Sequence, residues 1–254
     1  MTNPNTYLYK IINYFLILFF LFINYYITFA QHSVIESHTV DLNNISYFYE
    51  PFPQSVGSSI LQLGGSFTIL PIPLVENEYP VPTVDLQYKR GLYKNLSIDA
   101  TFSTIALSNI LHFGLQWNMN TGRFSYGVSN HIGGFYGFMT SEGQFDYNSA
   151  YAIFYMPILR FGYRFDNFSI STSWAATYLM KCVSKVSDLS AININNTWND
   201  FFCTIAIEQP FLKQQHLSLG ISMSYSRSPY QAWLLYNTID NYLFAPEFFF
   251  AFQL

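Results

Sequence analysis

The chain has 254 residues: 50% are hydrophobic, 20% aromatic and only 10% charged, with a formal net charge of −4. Soluble domains average roughly 25% charged residues because a folded surface must face water, so this composition argues against an ordinary soluble domain. No Lys/Arg-rich patch with interleaved aromatics occurs, which excludes a nucleic-acid partner. Cys182 and Cys203 have neither CxxC spacing nor a histidine pattern, so no metal and no cofactor is expected.

Residues 1–30 read as a secretory signal peptide. Lys10 is followed by an apolar run from Ile11 to Phe29, and Thr28-Phe29-Ala30 ends in a small residue suited to cleavage after Ala30. An uncleaved anchor is the alternative, because the run is long for a signal core. After residue 30 no stretch is apolar enough for a spanning helix. Residues 31–57, broken by Asn43-Asn44, Pro51 and Pro53, read as a periplasmic lead-in segment, with room for one short strand at Ile45–Tyr49.

From Ser58 the pattern becomes strict alternation, the mark of extended strands with two unlike faces. Leu61, Leu63, Phe67 and Ile69 oppose Gln62, Gly64, Ser66 and Thr68. After a Pro- and Glu-containing loop, Val84, Leu86 and Tyr88 oppose Asp85, Gln87 and Lys89. Strands follow at Leu96–Ser103, at Leu111–Trp117 after a Ser108-Asn109 turn, and from Phe124 toward Tyr136 after Asn120-Thr121-Gly122. The clearest unit is the hairpin from Ala150 to Lys181. Tyr151, Ile153, Tyr155, Phe161 and Tyr163 alternate with small or polar residues and with Arg160 and Arg164. Asp166-Asn167 turns the chain. Ile170, Trp174 and Tyr178 then alternate with Ser169, Ser171 and Ser173. Val183–Asn199 reads as a long polar loop. Strands resume at Phe201–Ile207, Leu217–Tyr225 and Phe244–Leu254.

These ten strands, with eight to twelve allowed, fit an all-β, antiparallel up-and-down transmembrane barrel over residues 58–254. Residues 45–49 or 230–236 could supply extra strands. Connections alternate between tight turns and longer loops, which puts both ends of the barrel in the periplasm. A secreted β-sandwich is the alternative, but its outer faces would carry many Lys, Glu and Asp, whereas here the polar face holds Ser, Gly, Thr, Ala and Gln.

On this pattern the chain resembles bacterial outer-membrane β-barrel proteins as a general class. The terminal run with Phe248, Phe250 and Phe252 resembles the signal by which the barrel-assembly machinery engages such proteins, although it ends on Leu254 rather than an aromatic residue. The resemblance implies location in the bacterial outer membrane, with outer-membrane lipids and the assembly machinery as partners. It names no functional family.

Three groups of residues could carry a site. Ser103 and His112, placed nearly opposite each other, with His131 near, could form a hydroxyl nucleophile and base for lipid hydrolysis; a lumen histidine among abundant hydroxyls is the plainer account. Asp85, Lys89, Asp99, Arg160 and Arg164 all fall on the lumen face. They could line a selective pore or pair with one another and fill a narrow lumen. Acidic residues of the longer loops, Glu76, Glu78, Glu142, Asp146, Asp188 and Asp240, oppose Lys94, Arg123 and Lys213 of the turns; none has calcium-loop spacing. The expected role is non-enzymatic, structural or surface-exposed, with binding through the long loops. The alternatives are a narrow channel for small solutes and a lipid-modifying enzyme. For the cysteines, a disulfide and two unpaired thiols both remain open.

Overall fold

The computed structural model describes residues 46–74, 79–105, 107–140, 147–186, 189–212, 215–227 and 241–254. The signal segment, residues 31–45, the possible strand at 230–236 and the acidic loop residues Glu76, Glu78, Glu142, Asp146, Asp188 and Asp240 lie outside them, as does Lys213.

Strand after strand turns back on its neighbour: β1 (Ser59–Leu70), β2 (Tyr79–Tyr93), β3 (Leu96–Thr104), β4 (Ser108–Thr121), β5 (Phe124–Thr140), β6 (Tyr147–Arg164), β7 (Ser169–Val186), β8 (Leu189–Ile194), β9 (Thr197–Leu212), β10 (Gln215–Ser226) and β11 (Leu243–Gln253). β1 pairs with β11, so ten strands close into an antiparallel barrel; β8 pairs with β7 alone. Closure leaves no open edge within the wall, which a spanning sheet requires because lipid cannot satisfy backbone groups.

The strand count of the wall agrees with the alternation, and three boundaries differ from it. Residues 183–199 are not a loop: β7 continues to Val186 and β8 covers its outer end after β9 has left it at Leu179. Asn196 takes the left-handed turn between β8 and β9, at a φ of 56°, a conformation Asn tolerates. β2 begins at Tyr79 despite Pro80 and Pro82. Those prolines pair only with β1, and β3 joins β2 from Val84 onward, so their missing N–H groups face no partner strand. The chain also turns between β3 and β4 at Ile105–Leu107, ahead of Ser108.

Side chains sort between the two faces with period two. On the β6–β7 hairpin Trp174 is 56% exposed and Ile153 45%, while Ser169 and Arg164 are buried against the lumen. Two bands of rings mark the membrane boundaries. At the turn end Phe124, Tyr163, Phe165 and Phe168 pack in sequence, with centroids 4.4–4.7 Å apart. At the loop end Tyr178, Trp198, Phe201 and Tyr242 do the same. Between them lie aliphatic residues such as Leu159, Ile205 and Ile221, all outward-facing.

Candidate functional site

The turn-end half of the lumen is filled by the chain itself. Residues 46–57, the described end of the expected lead-in segment, run inside the barrel and form no strand. Tyr47, Phe48 and Glu50 are buried. The wall residue Glu208, on β9, aims its carboxylate at three successive amides: Phe48, Tyr49 and Glu50 donate to it at 2.8, 2.8 and 2.9 Å. Lys89 of β2 donates to the carbonyl oxygens of Phe48 and Glu50 at 3.0 and 3.3 Å. Arg164 of β6 grips the Glu50 carboxylate, with Nη2 2.6 Å and Nε 3.0 Å from Oε2, and its guanidinium sits over the rings of Tyr47 and Phe52. Charge-assisted bonds of this kind are roughly twice as strong as neutral ones. In a dry lumen they also cancel charges that would otherwise be costly to bury.

The wall is hollowed to receive the segment. A Cβ on Gly162 would lie 2.9 Å from Glu50 Cγ, one on Gly127 2.9 Å from Pro51 Cβ, and one on Gly91 2.3 Å from the Ser55 oxygen. The Gly91 amide and carbonyl bond to Ser58 and Gly57 respectively. Lys89 and Arg164, expected among lumen charges that pair with one another, thus bond to the inserted segment.

A second network lies on β3–β6. Asp99 Oδ2 accepts from Arg160 Nη2 at 3.1 Å, and His131 Nε2 stands 3.3 Å from Asp99 Oδ1, an ion-pair distance off the axis of a hydrogen bond. His131 Nδ1 faces His112 Nδ1 at 3.0 Å. Arg160 also bonds Gln116, and Gln116 and Asn118 continue to Ser97. Gly114 leaves room for the His131 ring, which a Cβ there would meet at 2.6 Å. The His131–His112 contact needs one Nδ1 protonated and the other bare, which either tautomeric arrangement supplies.

Ser103 stands apart from that row. Thr101 is the cross-strand partner of His112, whereas Ser103 pairs with Ile110. This puts Ser103 on the diagonal, about 7–8 Å away by strand geometry, and its hydroxyl bonds Asp85. Cys182 and Cys203 are unpaired. Cys203 sits across from Trp174, eight residues along β7 from Cys182, a separation of about 25 Å at the strand rise.

Above the inserted segment is a cavity of about 320 Å³, floored by Phe48 and Tyr49 and reaching Ser184, Asn199 and Ser226 near the loop end. The apolar cluster of Phe135, Phe154 and Leu179 forms one wall. Asp85, Asp200 and Glu247 also line it, and among the described residues Arg160 is its one Lys or Arg. Burial pushes the Tyr49 phenol above its ordinary value. The bond from Gln87 opposes that rise, and the charges of Asp85, Glu208 and Glu247 add to it. Glu50, Glu208, Asp200 and Glu247 were not singled out from the sequence. Glu208 and Glu247 were findable there, since each is an ionisable residue on the inner face of a strand whose outer face is apolar.

No protein-family model matches the chain, and no curated protein matches it. Among solved structures it is similar to the translocator domain of the autotransporter NalP from Neisseria meningitidis, at 8% identity and a TM-score of 0.41, over 79% of this chain and 88% of that one. It is also similar to an outer-membrane channel from Pseudomonas putida F1, at 9% identity and a TM-score of 0.40, over 82% and 100%. A third is the KdgM porin in complex with disordered oligogalacturonate, at 9% and 0.35, over 77% and 98%. The closed ten-strand wall, its apolar outer band and its two rings of aromatic side chains make the chain a β-barrel of the bacterial outer-membrane type.

Proposed function

We propose that the protein is a non-enzymatic outer-membrane barrel, closed at its turn end by its own residues 46–57, that binds ligand from the loop side. The observation that carries this reading is the seating of Phe48–Glu50 on Glu208, Lys89 and Arg164. A lumen stopped by paired, fully desolvated charges offers no water-filled path at that level, and the cavity lies on the far side of the stop. Residues 1–30 act as the export signal, outer-membrane lipids cover the outer band, and β11 is the segment presented to the barrel-assembly machinery. A hydrolytic role is disfavoured by the distance between Ser103 and His112.

Planar-bilayer recording of the purified protein tests the reading. It predicts a silent wild type; reproducible single-channel steps would favour a narrow solute channel instead. Comparing lipid acyl profiles between wild type and His112→Ala tests the enzymatic alternative, and the proposal requires identical profiles.

A further inference from the structure

We propose that the loop-end cavity is a binding site for a small primary amine carried on an apolar body. The inference rests on the closed-barrel reading and assigns the ligand's chemistry.

The lining is rich in acceptors and short of free cations. Among the described residues its one Lys or Arg, Arg160, is already engaged by Asp99 and Gln116. Among the described residues, the three carboxylates that face the cavity have only neutral donors. Glu247 accepts from Thr68 Oγ1 at 2.7 Å and from Ser66, Asp200 accepts from Asn199 Nδ2 at 2.8 Å and from the Thr177 hydroxyl, and Asp85 accepts from Ser103. A carboxylate has about four lone-pair sites, so each keeps acceptor capacity.

An independent observation lies beside them. Gln87 is 9% exposed and lines the cavity; its Nε2 donates to the Tyr49 hydroxyl at 2.9 Å, while its Oε1 has no partner. A buried acceptor left empty is costly, and a donor supplied by a ligand would satisfy it.

Asp85 and Gln87 are adjacent lumen-facing positions of β2. Glu247 stands two strands away and four residues further toward the loop end, in the row of Thr68 and Val81, whereas the row of Asp85 runs through Gly64 to Ala251. An ammonium carries three donors and no acceptor, which matches the Asp85 carboxylate and the Gln87 amide oxygen beside it. The rings of Tyr49 and Phe249, 5.1 Å apart on the same floor, offer π faces to a cation. The wall of Phe135, Phe154 and Leu179 suits an apolar body.

A metal ion fits less well. Among the described residues no three His, Cys, Asp or Glu are grouped to hold one, and a hard cation wants six or more oxygens rather than rings. The cavity, at about 320 Å³, is at the small end of ligand pockets, which limits the guest to one ring or a short chain.

The test is calorimetric titration of the full purified chain in micelles with 2-phenylethylamine, 2-phenylethanol and 3-phenylpropionate, with empty micelles subtracted. The amine should bind at least about tenfold more tightly than the alcohol or the acid, the scale of one charge-assisted bond. Asp85→Asn and Gln87→Leu should each weaken the amine by about tenfold and leave the alcohol unchanged. Equal binding of amine and alcohol, no binding of the amine, or wild-type amine affinity in both variants would overturn the proposal. If Asp85→Asn does not fold, Gln87→Leu and the wild-type comparison still decide. Bilayer recording separates the two readings. A conducting wild type that selects the amine refutes closure and keeps the site, whereas a silent wild type indifferent to the amine refutes the site alone.

Discussion

The two halves of the lumen are built from the same strands yet hold opposite solutions to buried charge. In the turn-end half, Glu208, Lys89 and Arg164 each meet a group of the inserted segment, and the glycines of the wall leave space for it. In the loop-end half, Asp85, Asp200 and Glu247 accept, among the described residues, from hydroxyl and amide donors alone. Alternation is identical in both, so the difference lies in what occupies the space. Buried ionic groups paired by the chain itself hold a structure shut, whereas acceptors left over are poised for something from outside.

Four substitutions break or sharpen this contrast. The largest effect is expected for Glu208→Ala, which leaves three buried amides without an acceptor and strips Lys89 of a nearby counter-charge. A loss of about 3–5 kcal/mol is expected, read by urea unfolding in micelles together with the appearance of conductance. Asp200→Asn, in the other half, should leave conductance silent. Next comes Ile153→Lys, which places a charge on the lipid face and should cost about 2–4 kcal/mol near the midplane. Lysine at Ser171, on the lumen face and lining the cavity, should cost much less; equal losses in folding titrations would contradict the facing.

Gly162→Ala comes third. Its Cβ would crowd Ser125 Oγ, Glu50 Cγ and Pro51 Cδ at 2.6–3.0 Å, whereas at Gly134 the nearest atom is 3.5 Å away. Overpacking of this kind costs about 1–3 kcal/mol, so thermal melts should separate the two alanine variants. The smallest effect belongs to Arg123→Ala. Its ion pair with Asp166 is short, at 2.6 Å, but both side chains are about half or more exposed, so a change of about 0.5 kcal/mol or less is expected.

The wall was legible in the sequence because lipid imposes a period of two that no other force disturbs. Ile153 and Trp174 face outward and Ser171 inward, as their positions in the alternation require. The strand ends were less legible. β8, short and followed by Asn195-Asn196, reads as part of a loop, and it is a strand because the outer end of β7 offers it a partner. The Ser103–His112 expectation erred by two residues in register, a shift that preserves the face and changes the neighbour. The inserted segment was not legible at all. Residues 46–57 have no periodicity, and what holds them is a carboxylate about 160 residues away along the chain. A local pattern cannot report such a contact, although a lone Glu on the inner face of β9 asks for a partner.

The central claim is that Phe48–Glu50 is held inside the barrel by Glu208. Residue-resolved hydrogen exchange of those three amides in the purified protein tests it most directly. All three should be protected to the degree of the barrel strands, because each donates to a buried carboxylate, and Glu208→Ala should release them while the amides of β5 and β6 stay protected. Exchange of Phe48, Tyr49 and Glu50 in the wild type at the rate of an unstructured chain would contradict the account.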